Sequence, residues 1–282
     1  MLTRIKSFTA FFALAACAAS AAQAQSATAW VEGHNSKARM IAGTFAKSGG
    51  PSRTIAGIEI TMADGWKTYW RNPGDAGGVP PYFDWAGSEN LASAKVLFPA
   101  PSRLKDASGD SVGYKKAVVF PVEVTAKEPS KPVTLNLAME FGVCREICVP
   151  AEAKLTLSLP TAGTPMPAVL ATALELVPRK ATDRRPSDPE LKATRAMLTG
   201  DKPSLSVDVA FPGDGAGADV FIEAPDGVYL NLPKKIQGAS ASVQTFEIDL
   251  ATGVDIAEIK GKTLVVTMVS ATGQSEATWK ID

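Results

Sequence analysis

The chain has 282 residues, 45% of them apolar and 21% charged, which excludes a wholly disordered chain and fits two ordinary domains better than one. Its 29 basic residues balance 29 acidic ones, so there is no electrostatic footprint for nucleic acid. A single histidine, His34, excludes His-rich metal sites and leaves a Ser-His-Asp arrangement only if it serves alone. Three cysteines are too few for a disulfide-stapled scaffold.

Residues 1–24 read as an export signal. Arg4 and Lys6 form a positive start, Phe8 to Ala16 a short apolar stretch, and Ala22-Gln23-Ala24 a small-x-small cleavage site. Leu14-Ala15-Ala16-Cys17 also fits a lipobox, which would make Cys17 a lipid anchor instead. On either route Cys17 takes no part in the redox chemistry of the folded protein. No later stretch approaches the roughly 20 apolar residues of a membrane-spanning helix. The mature protein is therefore expected in an oxidising compartment, soluble or lipid-anchored.

Residues 30–160 read as a β-domain. Thr54 to Met62, Val118 to Thr125, Val133 to Phe141 and Lys154 to Leu159 are strand candidates separated by Pro, Gly and charged turns. Leu135, Leu137 and Met139 share one face of their strand, as do Leu155, Leu157 and Leu159 on theirs. Short, half-buried strands in this number predict an antiparallel sandwich. Residues 161–200 carry Pro165, Pro167, Pro178, Pro186 and Pro189, and read as a linker with two short helices, Ala168 to Leu176 and Glu190 to Leu198. Alternation then returns over 201–282, at Leu205 to Val209, Val220 to Glu223, Val228 to Leu232, Val243 to Leu250, Thr263 to Val269 and Ala277 to Ile281. The fold class expected is all-β: two sandwich domains joined by a Pro-rich linker. The second has no Cys or His, so support or partner binding is its expected role.

Two segments stand out chemically. Residues 64–85 hold three of the five Trp and two of the four Tyr around Asn72-Pro73-Gly74-Asp75-Ala76-Gly77-Gly78, a turn-forming run. These rings fit a core filling and a shielding or binding loop equally well. The other segment is Phe141-Gly142-Val143-Cys144-Arg145-Glu146-Ile147-Cys148-Val149-Pro150. Its cysteines fit buried core residues, a disulfide, part of a metal site or a redox pair. In one extended strand they would lie about 13 Å apart, too far to bond. With residues 145–147 as a hairpin tip they would face each other across its base. Arg145 would stabilise a thiolate there and Glu146 would oppose it. Two cysteines without a nearby His do not make a zinc site, although two thiolates suit Cu(I), with Met139 as a nearby sulfur.

The two segments together resemble the N-terminal periplasmic domain of the thiol:disulfide interchange protein DsbD, in its ScsB-like branch. The matching residues are Gly65-Trp66-x-x-Tyr69-Trp70-x-x-Pro73-Gly74-Asp75 and Gly142-Val143-Cys144-x-x-Ile147-Cys148-x-Pro150. The resemblance implies an immunoglobulin-like fold that passes reducing equivalents to periplasmic thiol-disulfide proteins through Cys144 and Cys148. It implies a cap loop over that pair, with Trp66, Tyr69 and Trp70 as its rings, and no cofactor. The family's membrane electron carrier and thioredoxin-like domain are not seen in this sequence, so a separate membrane donor is expected. Thiol-disulfide exchange linked to copper tolerance is the function expected from this likeness. Against it stand a non-catalytic binding or assembly module with a permanent Cys144–Cys148 bond, and Cu(I) binding by the pair.

Overall fold

The structure is a computed structural model that describes residues 26–46, 52–105, 109–159, 164–236 and 243–282. The leader, with Cys17 and Ala24, lies outside them. The first unit contains β1 (Val31–Gly33), β2 (Ser36–Ala46), β3 (Ser52–Met62), β4 (Lys67–Tyr69), β5 (Tyr82–Asp84), β6 (Leu91–Val96), β7 (Ser102–Leu104), β8 (Ser111–Lys115), β9 (Ala117–Ala126), β10 (Thr134–Cys144) and β11 (Cys148–Ser158). One sheet runs β1-β2-β3-β9-β6 and the other β11-β10-β4-β8-β7, with β5 also paired to β10. Alternation along the long strands turns Met40, Ile58, Ile60, Phe120 and Val122 of the first sheet inward. They meet Leu135, Leu137, Met139, Leu155 and Leu157 of the second. Phe120 is fully buried and touches the rings of Phe83, Phe98 and Tyr114 at centroid distances of 5.8, 5.1 and 5.5 Å.

Helix α1 (Ala168–Glu175) covers the outer face of β2 and β3, where Leu170 packs on Ile41 and Ile55. Two glycines permit that approach. A Cβ on Gly43 would lie 2.5 Å from the Met166 Cα, and one on Gly57 would lie 2.8 Å from the Leu170 Cδ1.

The second unit contains β12 (Arg179–Lys180), β13 (Glu190–Met197), β14 (Ser204–Ala210), β15 (Asp219–Glu223), β16 (Lys234–Ile236), β17 (Val243–Asp249), α2 (Ile256–Ile259), β18 (Thr263–Ser270) and β19 (Gly273–Lys280). Its sheets run β12-β19-β18-β15 and β13-β14-β17-β16. Between them lie Leu205, Val207, Phe246 and Ile248 from one side and Val220, Ile222, Leu264 and Val266 from the other. The fold is therefore all-β with two sandwiches, as expected.

Two expectations are corrected. Glu190 to Leu198 is not a helix, because Glu190–Met197 pairs antiparallel with β14. A register shift between Leu191 and Ala193 breaks the period-2 pattern, so the apolar residues fall at helix-like spacing. Val228 to Leu232 is not a strand, and β16 begins only at Lys234. The backbone N–H of Leu232 instead donates to Asp75 across the join between the sandwiches, at 2.8 Å.

That join is continuous with the first core, which Phe221, Leu232 and Val269 enter from the second unit. Arg103 bonds both oxygens of Asp219 at 2.9 and 2.8 Å. Tyr229 donates its hydroxyl to Asp75. Burial, followed by the bond to Asp75 and its negative charge, pushes the Tyr229 hydroxyl well above its ordinary pKa of 10.0. Burial does the same to Tyr114, whose hydroxyl donates to the Pro99 carbonyl at 2.8 Å.

Two measurements test this fold. Phe120→Ala should cost about 3–5 kcal/mol in denaturant unfolding, and a loss below 1 kcal/mol would mean the ring cluster is not the core's centre. Raised phenol pKa values contribute stability that is complete below pH 10 and declines as pH rises toward the folded values. Phenolate absorbance should therefore show Tyr114 and Tyr229 still protonated where ordinary tyrosine ionises, with the signals assigned by Tyr→Phe variants.

Candidate functional site

The site is built by the β10–β11 hairpin. Its register runs unbroken from Thr134 opposite Ser158 to Cys144 opposite Cys148, and Arg145-Glu146-Ile147 closes the tip. The Arg145 N–H donates to the Ile147 carbonyl at 3.1 Å. Directly opposed cysteines share a face, and here the Cα atoms are 4.1 Å apart and the sulfurs are bonded as a disulfide. The two half-cystines differ in access: Cys144 is 1% exposed, whereas Cys148 is exposed to solvent at the start of β11.

β4 lies on the other edge of β10, with Lys67 opposite Cys144. Antiparallel counting then sets Tyr69 beside Gly142, on the cysteines' face. The Tyr69 hydroxyl lies 3.0 Å from the Cys148 sulfur. A disulfide sulfur carries no hydrogen, so the phenol is the donor. Lys67 is buried on the same face and donates to the Ser111 hydroxyl at 2.9 Å.

β5 occupies the same edge of β10 further along, where Tyr82 to Asp84 meet Glu140 to Ala138. The residues between β4 and β5 must therefore leave the sheet, and they return over its outer face. Gly78 settles on the Tyr69 ring so closely that a Cβ there would lie 2.3 Å from a ring carbon. The Val79 carbonyl accepts from the Gly142 N–H at 3.1 Å. Gly142 is also held to glycine by space, since a Cβ would crowd Val79 and Tyr69 at 3.1 and 3.2 Å.

The three expected cap rings separate. Tyr69 is the one in contact with the pair. Trp70 is buried in the join, with its ring centroid 5.6 Å from that of Phe221. Trp66 packs at the margin of the core and meets His34 edge-on at 5.1 Å. Met139 is five residues from Cys144 along β10 and faces the interior, so it is not a third sulfur beside the pair. Arg145 and Glu146 lie 3.6 Å apart at the exposed tip, offsetting each other's charge near the sulfurs. Three apolar side chains are exposed on this part of the surface: Ile147 at the tip, Val79 on the returning loop and Tyr82 in β5. The turn-forming run ending at Gly78 was legible in the sequence, but its seat on Tyr69, and the places of Lys67 and Val79 at the site, were not. The Gly77-Gly78 doublet was the available signal, since adjacent glycines after an aromatic strand permit close backbone approach.

A two-sandwich protein with a cystine at an open hairpin tip, one half-cystine exposed and the other buried, has the parts of a thiol-disulfide exchange module. Residues 42–160, most of the first sandwich, match the family model described as "Thiol:disulfide interchange protein DsbD, N-terminal". The chain is also similar to the crystal structure of the N-terminal periplasmic domain of ScsB from Proteus mirabilis. That likeness has a TM-score of 0.66 at 22% identity, over 91% of this chain and 98% of the other. It agrees with the immunoglobulin-like fold of both sandwiches. No curated protein sequence matches the chain.

A test follows for the aromatic residues. Tyr69→Ala should accelerate modification of the reduced Cys148 thiol by a bulky maleimide by about tenfold, because it removes the ring over one side of the sulfur. Trp70→Ala should act chiefly on stability, at about 3–5 kcal/mol. Equal modification rates in wild type and Tyr69→Ala would assign Tyr69 to packing alone.

Proposed function

We propose that the protein exchanges dithiols and disulfides in the periplasm, with Cys148 as the sulfur that bonds to partners and Cys144 as the resolving thiol. The observation that carries this reading is the unequal access of the pair, since an incoming disulfide can approach Cys148 but not Cys144. In the reduced protein the Cys148 thiolate attacks one sulfur of a partner's disulfide. The partner's bond breaks, and its departing sulfur leaves as a thiolate that takes up a proton. Cys144, losing its own proton, then attacks the Cys148 sulfur of the mixed disulfide. The internal bond forms again and the partner leaves as a dithiol, having gained two electrons. Tyr69 fits a supporting role in each step, because its hydroxyl is placed to donate to Cys148 as a thiolate.

In this reading the first sandwich, residues 30–160, carries the chemistry, and the second sandwich begins within the segment 161–200. Among the described residues no helix is long and apolar enough to cross a membrane. By the resemblance to the interchange family, the regenerating electrons are assigned to a separate membrane donor, with residues 1–24 directing export. A link to copper tolerance would run through the same two thiols.

Mixed-disulfide trapping tests the assignment. Cys144→Ser should accumulate an adduct through Cys148, Cys148→Ser should accumulate little, and the double variant none. A purely structural bond would trap nothing in either single variant. It would also show a reduction potential below about −300 mV, the range of disulfides that resist physiological thiols.

A further inference from the structure

The second sandwich has no cysteine or histidine of its own, yet it grips the segment that runs directly from Tyr69. Trp70 packs on Phe221 of β15. Arg71 reaches three strands of the same sheet, with the Thr267 hydroxyl of the middle strand β18 at 3.5 Å. Its guanidinium bonds Glu223 of β15 at 2.9 and 2.7 Å and Glu276 of β19 at 2.8 Å, while lying 4.4 Å from the Trp70 ring centroid. Burial disfavours this cation, but the bonds to both carboxylates and their charges outweigh it, so the Arg71 pKa is raised. Four residues on, Asp75 accepts from the Tyr229 hydroxyl and the Leu232 N–H. The chain then passes Gly77 and lays Gly78 on the Tyr69 ring. Thus the loop starts beside the disulfide, is gripped twice by the second sandwich, and ends by pressing Tyr69 toward Cys148.

Among the described residues, the first sandwich's hydrogen bonds to the same loop run between backbone groups, with Trp70 N–H bonded to the Val112 carbonyl, Val112 N–H to the Pro73 carbonyl and Ala76 N–H to the Asp110 carbonyl, while Trp70 also packs into its core and the Arg71 guanidinium lies 6.0 Å from the Phe98 ring centroid. Those bonds fix the middle of the loop. The side-chain hydrogen bonds at Arg71 and Asp75 come from the other unit. We propose that the second sandwich is a positioning brace, with Arg71 and Asp75 as positioning residues that set how closely Tyr69 and the 77–79 segment cover Cys148. Removing Arg71 would leave Glu223 and Glu276 facing each other without a cation between them, so the β15 and β19 side chains would separate and the loop would lose its first anchor.

This inference rests on the exchange reading for its purpose but not for its test, because chemical access to Cys148 can be measured whether or not a partner exists. The experiment uses the full chain in reduced form, with modification of Cys148 followed by peptide mass. Iodoacetamide serves as the small reagent and a polyethylene-glycol maleimide as the bulky one. Arg71→Gln should raise the bulky-reagent rate on the order of fivefold while the small-reagent rate changes less than about twofold, as expected for local loosening of a cover. Tyr229→Phe should act in the same direction more weakly, and Arg71→Lys should restore part of the wild-type ratio. Asp219→Asn provides the control, because it weakens the same join through Arg103 on β7, outside the loop. It should leave the bulky-to-small ratio unchanged. An unchanged ratio in folded Arg71→Gln overturns the proposal, as does an equal rise in Asp219→Asn, which would indicate general opening of the join. If Arg71→Gln does not fold, Tyr229→Phe decides by the same ratio. A failure to trap partners through Cys148 would count against exchange and would leave this result standing.

Discussion

The antiparallel register of β10 and β11 is the constraint on which the site depends. Because side chains alternate, a slip of one residue would turn the whole inward set of Leu135, Leu137 and Met139 toward the outer face. The burial of those side chains therefore fixes the pairing, and the pairing sets Cys144 opposite Cys148 at the far end. Closing a three-residue tip removes little freedom from the unfolded chain, so the disulfide is a minor contributor to stability. The hydrophobic face of the hairpin positions the sulfurs, and the sulfurs do little to hold the hairpin.

The same parity explains how a single tyrosine serves the site. Tyr69 counts to Gly142 and hence to the cysteine face, while Trp70 turns to the join between sandwiches. One dipeptide thereby couples the two regions. Its tyrosine meets the disulfide and its tryptophan meets the second unit, and Arg71 continues that second contact into a partly buried ion pair with two carboxylates.

The long strands were legible because their alternation is unbroken over many residues, and the hairpin tip could be placed because good strands flank CxxxC. The short strands β4, β5, β7 and β8 were not, since three to five residues carry no period, and their pairing is decided by neighbours distant in sequence. β13 was hidden by its register shift, and Val228 to Leu232 carries strand-like residues whose backbone is committed elsewhere. At the site, composition identified an aromatic group but not its division. Choosing Tyr69 over Trp66 and Trp70 requires knowing that Lys67 stands opposite Cys144, a pairing between residues far apart in the chain. The ion pairs of the join were equally invisible, because Arg71, Glu223 and Glu276 are ordinary charges until the sandwiches meet.

The tip of the hairpin carries one cation and one anion, Arg145 and Glu146, beside an exposed isoleucine. Such a tip has no net charge with which to draw a protein in from a distance. Encounters there would proceed at the rates of unsteered association, roughly 10⁵–10⁶ M⁻¹s⁻¹, with little dependence on ionic strength. Selection among colliding proteins then falls to short-range fit around Ile147, Val79 and Tyr82. A tip of this kind favours neither acidic nor basic surfaces, at low ionic strength or high.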